Sequence, residues 1–302
     1  MKLEQLRIFA TVAKAGELSD AAAQVGRTPA AVSMTLRQIE DDIGGALFEG
    51  GRKSRLTPLG SFVLERALRA INEYDNAILK IRHFARGEHG VASVAAVPSA
   101  ATRLVPSAVA LMRKTHPNSR IDLRDIDSLA VIESVASGDS DFGVAGDVQD
   151  DSGLTAELLL EDPFMLICPA THRFALAGVP VRWSDIEPSE FVANGLCASI
   201  ASVELAALAA QSSLMLHNTT SLLSFVAQGF GVTLLPALAA PESGVFCAVA
   251  LAEPHATRRL HLWTRPGESL GPVSRTLLES VRKVSVRFAA SFASTQQSAR
   301  LC

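Results

Sequence analysis

Residues 28–40, TPAAVSMTLRQIE, have an unusual distribution of side chains for a surface helix. At helical spacing, apolar residues form one side: Val32, Leu36 and Ile39. The other side has small residues, a hydroxyl, a thioether and one arginine: Ala30, Ser33, Met34 and Arg37. Small side chains allow close approach to base edges in a DNA major groove, where a serine can hydrogen-bond, a methionine can contact a thymine methyl and an arginine can bind guanine. The spacing alone leaves an equal alternative, a three-helix unit that binds another protein.

Hydroxyl and amide side chains also recur where predicted strands end or predicted helices begin later in the chain. These residues are Ser99, Thr102, Ser128, Asn194 and Thr219. Hydroxyls and free backbone amides at a helix N-terminus bind anions, and a carboxylate suits such a site. The same residue types are common helix caps, so capping is an equal alternative for any one of them. Taken together, they favour a small anionic ligand.

Three short helices must position the first group of residues. The apolar spacing predicts helices over residues 3–15, 20–25 and 29–42. Ser19 is the predicted cap of the second helix. Thr28 is the predicted cap of the third, and Pro29 occupies its first position, where a missing N–H costs nothing. The free amides near Thr28 favour a phosphate.

A basic loop and a long helix follow. Residues 50–58, GGRKSRLTP, predict a hairpin loop, or wing, whose basic side chains suit phosphate or minor-groove contacts: Arg52, Lys53 and Arg55. A solvated basic loop is the alternative. Pro58 then begins a helix predicted to continue to Ala85. Because a helix of that length usually needs a partner, the pattern predicts a dimer, with a solvated linker helix as the alternative.

The chain changes character after residue 90. Apolar strands are predicted at 91–97, 120–126 and 141–146, and again at 164–169, 191–195, 213–218 and 231–236. Helical stretches lie between them, predicted near 102–114, 128–137, 201–212 and 220–228. This order predicts α/β structure with a mostly parallel sheet, and its repetition predicts two lobes in series with a cleft between them.

Composition limits the class of protein. The 302 residues are 48% hydrophobic and 20% charged, which excludes a disordered chain and allows two or three domains. The net charge of −3 conceals +2 over residues 1–90 and −5 over the remainder, a weak indication of a polyanionic partner at the basic end. The charged start lacks the apolar core of a signal peptide, and no segment is long enough to span a bilayer. We expect a cytoplasmic protein with no membrane partner.

The four cysteines show no metal-ligand spacing. They are Cys168, Cys197, Cys247 and Cys302. In a cytoplasmic chain we expect reduced, mostly buried thiols, and we expect no metal and no other cofactor.

The first 60 positions resemble the N-terminal domain of LysR-type transcriptional regulators, through LRIFATVAKAGELSDAAAQVGRTPAAVSMTLRQIEDDIGGALFEGGRKSRLTPLG. LVPSAVALMRKTHP, VASGDSDFGVAG, FVAQGFGVTLLP and LHLWTRPG are similar to the family's effector domain, in the family's order. The resemblance implies an α+β multidomain protein: a winged helix-turn-helix (1–58), a linker and dimerisation helix (59–88) and an effector domain (89–302). The effector domain would have two Rossmann-like lobes, similar to periplasmic binding proteins, with lobe I at 91–161 and 267–293 and lobe II at 162–266.

The resemblance also implies sites and partners. Pro29, Ala30, Ser33, Met34 and Arg37 match the family's base-reading positions, and Ser99, Thr102, Ser128, Asn194 and Thr219 match positions that line its inter-lobe pocket. The implied partners are double-stranded DNA with paired half-sites, a small-molecule effector, RNA polymerase, and further copies of the chain in a dimer or tetramer. The wing departs from the family pattern, because it is one residue shorter and has Gly50 at a commonly basic position.

Three other functions compete with a ligand-responsive regulator. A thiol-responsive regulator of the same family would use Cys197, which lies where peroxide-sensing relatives have a reactive cysteine, but no resolving cysteine follows before Cys247. An enzyme would use the cleft between the lobes, but the chain has no G-x-S-x-G, H-E-x-x-H or Walker A motif. A solute-binding module would have no use for residues 1–60. We therefore expect a regulator and not an enzyme.

Overall fold

The computed structural model describes residues 1–51, 54–85, 90–148, 153–241, 244–253, 256–295 and 300–301. The chain divides into two compact units. The first is Met1–Glu88 with Ala136–Asp139, and the second is His89–Val135 with Ser140–Cys302.

The α-helices described in the first unit are α1 (Leu3–Ala15), α2 (Leu18–Gln24), α3 (Pro29–Ile43) and α4 (Pro58–Ala85). Three of them begin where the sequence predicts. The predicted Ser19 cap of α2 is wrong, because Glu17 is the extended capping residue and its carbonyl accepts the N–H of Ala21 at 3.2 Å. Ser19 therefore lies inside the first turn.

The core of this unit is formed where α1, α2 and α3 pack together. α1 buries Ile8, Phe9 and Val12, while Leu6 and Ala13 are only partly buried. The ring of Phe9 meets Phe48 edge-on, with centroids 5.6 Å apart, an arrangement that aromatic pairs favour. α1 thus turns the side that carries Ile8, Phe9 and Val12 into the core.

The wing predicted at residues 50–58 lies in a short hairpin that begins earlier, at Phe48. Phe48 and Leu56 form an antiparallel bridge, and the N–H of Glu49 donates to the carbonyl of Arg55 at 2.9 Å. The hydroxyl of Thr57 then accepts the N–H of Gly60 at 2.9 Å and so caps the first turn of α4. Gly60 packs closely, since a Cβ there would lie 2.0 Å from the carbonyl oxygen of Leu47.

Ten strands lie in the described residues of the second unit: β1 (Val91–Ala96), β2 (Arg120–Asp125), β3 (Phe142–Gly146), β4 (Thr155–Pro169), β5 (Val192–Asn194), β6 (Leu214–Leu216), β7 (Thr233–Pro236), β8 (Phe246–Ala250), β9 (Thr257–Thr264) and β10 (Arg300–Leu301). β1 lies between β2 and β3 and is parallel to both. β9 then pairs antiparallel with β3 and with β4. β5 and β6 form a separate parallel pair.

β4 belongs to two parts of the sheet. Its residues from Thr155 to Pro163 pair with β9, and those from Phe164 onward pair with β7 and β8. The sequence predicts only the second part, since the first is largely exposed and shows no alternation. Strands β8 and β9 were likewise not predicted. β4 and β9 together carry the chain between the two groups of strands.

In the part of the second unit that the structure describes, six α-helices accompany these strands: α5 (Val105–Met112), α6 (Ser128–Ala136), α7 (Arg173–Ala177), α8 (Val203–Gln211), α9 (Thr219–Ala227) and α10 (Pro272–Thr295). A wider turn of π type at Ala100–Leu104 precedes α5, in place of the predicted helix start at Thr102. α10 packs against α5, β1 and β4. Within the described residues, none of the helices combines the length and the apolarity that crossing a bilayer requires.

Candidate DNA-reading and ligand-binding sites

The start of α3 is fixed by its capping residues. The hydroxyl of Thr28 accepts the N–H of Ala31 at 3.3 Å, and Pro29 occupies the first helical position. The apolar side of the helix is fully buried through Val32, Leu36 and Ile39. Burial of that side determines which residues face solvent.

The opposite side of α3 is exposed and sparsely bonded. Thr28, Pro29, Ala30 and Arg37 are exposed, Ser33 is half-buried, and Met34 is 60% exposed. Arg37 forms no hydrogen bond or ion pair with any described residue. A guanidinium without a described partner, beside small side chains, has its donors available to an outside acceptor.

Of the three basic residues of the wing, the structure describes only Arg55. Arg55 is 70% exposed and forms an ion pair with Glu49, Nε to Oε2, at 3.2 Å. A phosphate would compete with that carboxylate for the guanidinium. Arg52 and Lys53 lie outside the described residues.

The predicted ligand residues of the first lobe lie at the carboxyl ends of β1 and β2. The strand order β2-β1-β3 places β1 at a topological switch point, because the chain leaves it toward opposite sides. Ligands of open α/β sheets bind at such points. Ser99 follows β1 and Ser128 follows β2, and the Ser128 hydroxyl accepts the N–H of Gly146, at the end of β3, at 3.3 Å.

Ser99 is buried and bonded to an arginine that the sequence analysis missed. Nη2 of Arg258 donates to its hydroxyl oxygen at 2.6 Å. Arg258 also forms an ion pair with Asp162, whose side chain has no exposed surface. Burial raises the pKa of Asp162, while Arg258 and the N–H of Leu238 act to lower it. No local pattern indicates this cluster, since Asp162 and Arg258 are far apart in the sequence.

Thr102 has less capacity to bind an anion than its type suggests. Its hydroxyl donates to the carbonyl oxygen of Pro98 at 2.9 Å and also lies 3.2 Å from that of Ser99. A hydroxyl has a single hydrogen, so the one on Thr102 is already engaged.

The second lobe repeats the arrangement with β6, β5 and β7. β5 is parallel to β6, and the N–H of Val192 donates to the carbonyl of Val232 just before β7. Asn194 ends β5 and is buried. Its amide donates to the Thr233 hydroxyl at 3.1 Å and to the Leu234 carbonyl at 2.8 Å. With its oxygen accepting the N–H of Leu196, Asn194 has both amide hydrogens engaged inside the fold.

Thr219 is the first residue of α9 and is half-buried. Asn218 caps this helix by accepting the N–H groups of Thr220 and Ser221. The first amides of α9 therefore already have one acceptor.

A cavity of the second unit lies elsewhere. It has a volume of about 390 Å³ and is found at the opposite end of β3, lined by Asp141, Thr264 and Arg265 among others. None of the predicted ligand residues lines it. Arg265 and Arg282, which do, are already paired with Glu268 and Glu157.

The cysteines differ from the expectation in one respect. Cys168 and Cys197 are free and buried, as expected. Burial raises the pKa of Cys168 to about 11 and also raises that of Cys197. Cys247, by contrast, is disulfide-bonded. Cys302 lies outside the described residues.

These features define a winged helix-turn-helix protein with a two-lobed α/β binding domain. The model of the "Bacterial regulatory helix-turn-helix protein, lysR family" matches residues 3–61, and that of the "LysR substrate binding domain" matches residues 85–285. The chain belongs to the LysR family. It is a DNA-binding transcriptional regulator with an effector-binding domain, and not an enzyme.

Similar proteins span almost the same length. The uncharacterized HTH-type transcriptional regulator YfeR of Shigella flexneri is 29% identical over 289 residues, 93% of each chain. A probable hydrogen peroxide-inducible genes activator of Streptomyces viridosporus is 24% identical over 299 residues, covering 94% of this chain and 96% of that one. The solved structure of full-length CbnR with its target DNA has a TM-score of 0.65 at 19% identity, covering 94% and 100% of the chains, and this likeness concerns the fold.

Proposed function

We propose that this regulator reads a promoter with paired half-sites through α3. Thr28 would contact a phosphate, and the wing residues Arg52, Lys53 and Arg55 would contact phosphates or the minor groove. The residues proposed to face the bases are Pro29, Ala30, Ser33, Met34 and Arg37. The observation that carries the proposal is the unpaired, exposed guanidinium of Arg37 on the side of α3 that the core leaves free.

A titration of the region upstream of the protein's own gene tests specific binding. Binding is measured at two salt concentrations, against a scrambled duplex of the same length. We expect tighter binding to the upstream duplex at both concentrations, because base contacts persist when phosphate contacts are screened. Binding that is equal for both duplexes and weakens in parallel as the salt concentration rises would show that the protein contacts only phosphates.

We further propose that the effector is a small carboxylate-bearing molecule held at the carboxyl ends of the strands. Ser99, Ser128 and Thr219 support this, because each stands where a parallel strand gives way to a helix. Thr102 stands at the same edge with its hydrogen engaged. The bonding of Asn194 favours a structural role for that residue. Effector binding would alter affinity for the promoter, with a coupling free energy in the range usual for allosteric proteins, about 1–3 kcal/mol.

The proposed assembly is supported by α4. Large apolar side chains remain exposed along it: Phe62, Leu68, Tyr74 and Ile81. A second copy of α4 would cover them, which supports a dimer, and the family resemblance extends this to a tetramer and to contact with RNA polymerase.

We keep the domain division 1–58, 59–88 and 89–302. The pairing of β9 with β3 favours moving Thr257–Thr264 from lobe II to lobe I.

A thiol-responsive regulator is the second candidate. The disulfide at Cys247 and the similarity to a probable peroxide-inducible activator support it. The buried Cys197, whose pKa is raised, does not, because the thiolate is the reactive form. If the protein senses oxidant, we propose that Cys247 and not Cys197 is the cysteine involved.

A further inference from the structure

Cysteines follow one row across neighbouring strands of the second unit. Cys168 on β4 and Cys247 on β8 are register partners. On the other side of β8, β10 pairs antiparallel, with Leu301 opposite Ala248. The next step of that register leads to Cys247 on β8 and, in the sequence, to Cys302, the last residue of the chain. Cys247 thus lies between two positions that could supply a partner thiol.

The two sides of Cys247 are not equivalent. The N–H of Ala170 donates to the carbonyl of Val245 at 2.9 Å. This pair lies two positions along the ladder from Cys168 and Cys247. Because hydrogen-bonded and non-hydrogen-bonded pairs alternate along an antiparallel ladder, Cys168 and Cys247 are a hydrogen-bonded pair. The carbonyl of Cys247 is therefore directed toward β4, and the sulfur of Cys168 lies 3.6 Å from its oxygen.

Toward β10, Cys247 occupies a position without ladder hydrogen bonds. Directly opposite residues come closest at such positions, with Cα atoms about 4.5 Å apart compared with about 5.5 Å in a hydrogen-bonded pair. A disulfide needs Cβ atoms about 3.5–4.5 Å apart, and the closer pair meets that requirement better. The backbone of β8 thus favours a bond from Cys247 toward β10 over a bond to Cys168.

The states of the cysteines lead to the same partner. Cys247 is disulfide-bonded, whereas Cys168 and Cys197 are free. Cys247 has no exposed surface, so a cysteine of another molecule does not reach it. The sequence contains one further cysteine, Cys302.

We propose that Cys302 is the disulfide partner of Cys247 and that the pair is a site of reversible oxidation. The inference deepens the second candidate function, a thiol-responsive regulator, and its regulatory meaning rests on that function. Hydrogen peroxide oxidises the thiol of Cys302 to a sulfenic acid and leaves as one water. The thiol of Cys247 then attacks that sulfur, which forms the S–S bond and releases a second water. A dithiol reduces the bond by thiol–disulfide exchange.

The bond would fasten the end of the chain across the two groups of strands. α10 packs against α5 and β1, and residues 296–299 connect it to β10. β8 pairs with β4 from Met165 onward, in the other group. A covalent link from the chain end to β8 restricts movement of one group relative to the other. Since β10 has only two residues, few hydrogen bonds must open to admit the reductant.

Disulfide mapping of the full-length protein tests the pair. Protein reduced with dithiothreitol is treated with hydrogen peroxide, its free thiols are alkylated in denaturant, and non-reducing mass spectrometry identifies the linked peptides. The test variant is Cys302→Ser, which leaves every described residue unchanged. The control is Cys197→Ser, which removes a thiol that is free and buried. Thermal unfolding and promoter titration are carried out on the reduced and oxidised forms.

We expect a peptide that links Cys247 to Cys302 in the oxidised wild type and in Cys197→Ser, with Cys168 alkylated in both. Because a crosslink restricts the unfolded chain, oxidation should raise the unfolding midpoint by about 5 °C or more in these two proteins and leave Cys302→Ser unchanged. A link between Cys168 and Cys247, a link between two molecules, alkylation of Cys247 after peroxide treatment, or the same rise in Cys302→Ser would each overturn the inference.

Promoter titration reports separately on the thiol-responsive function. A mapped bond that leaves promoter affinity unchanged supports the cysteine pair and contradicts that function. A change in promoter affinity on oxidation that Cys302→Ser retains keeps the function and overturns the inference.

Discussion

Arg7 and Asp75 join α1 to α4 through a paired guanidinium–carboxylate contact. Nη1 of Arg7 donates to Oδ2 of Asp75 at 2.9 Å, and Nη2 donates to the other carboxylate oxygen. This hydrogen-bonded pair lowers the pKa of Asp75 and raises that of Arg7. The contact fixes the long helix to the first helix of the DNA-binding unit, far along the chain from the wing.

The lowered pKa of Asp75 predicts how this contact depends on pH. Its contribution is present above the unfolded-state pKa of about 3.9 and is lost as the pH falls through the lower folded-state value. Asp75 is 52% exposed, so Asp75→Asn should cost only about 1 kcal/mol or less at pH 7. We expect the difference in thermal unfolding midpoint between wild type and variant to shrink near pH 3. A difference that grows at low pH would contradict this account.

Gly60 allows α4 to pack against the wing. An alanine there would place its Cβ 2.0 Å from the carbonyl oxygen of Leu47, so Gly60→Ala should destabilise the first unit by roughly 1–3 kcal/mol. Ser61→Ala, at the exposed neighbouring position, is the control and should change stability by about 0.5 kcal/mol or less. Chemical denaturation measures both, and equal stability of the two variants would show that the close approach is not required.

Comparing variants at Asn194 and Asn218, in the second lobe, distinguishes a structural role from a ligand-binding role. Asn194→Ala leaves the buried Leu234 carbonyl and the Leu196 N–H without their partner, which predicts a loss of about 2–3 kcal/mol without any ligand. Asn218→Ala removes only an exposed helix cap and should cost about 1 kcal/mol. If Asn194→Ala unfolds like the wild type, its amide is available for a ligand.

Cys197 should be a slow nucleophile. Its thiol is buried, and burial raises its pKa, so the thiolate fraction is small at neutral pH. We expect alkylation of Cys197 by iodoacetamide at pH 7.5 to be slower than alkylation of the same residue in denatured protein by about tenfold or more. The rate should rise as the pH approaches the raised pKa. Labelling at the denatured rate would restore Cys197 as a sensor.

Local signals identified the DNA-binding unit well. Thr28 and Pro29 mark the start of α3, and Pro58 marks the start of α4, because caps and proline act within one turn. Strands with a clear apolar run were predicted too, such as the residues from Phe164 in β4. The cap of α2 was mistaken because Ser19 is a preferred capping residue and Glu17 is not, yet the helix begins at Leu18 and the N–H of Ala21 bonds to the carbonyl of Glu17.

The sequence analysis did not predict contacts between residues that lie far apart in the chain. Asp162 and Arg258 become neighbours only through the register of β4 with β9, and β9 has a mixed pattern of arginine, leucine, histidine and tryptophan. The sequence also did not show whether the hydrogen-bonding groups of a polar side chain remain available to a ligand. Asn194 and Ser99 are both predicted to follow a strand. The donors of Asn194 are engaged inside the fold, whereas the hydroxyl hydrogen of Ser99 has no acceptor among the described residues.

The central claim is that α3 reads bases through Arg37. The most direct measurement compares Arg37→Ala with Arg287→Ala, which removes an equal charge from an exposed position on α10, in titrations of the upstream duplex and of a scrambled one. We predict that Arg37→Ala weakens specific binding by about 1–3 kcal/mol and reduces the preference for the upstream duplex, while Arg287→Ala does neither. Equal weakening on both duplexes, with the preference unchanged, would contradict base reading by Arg37.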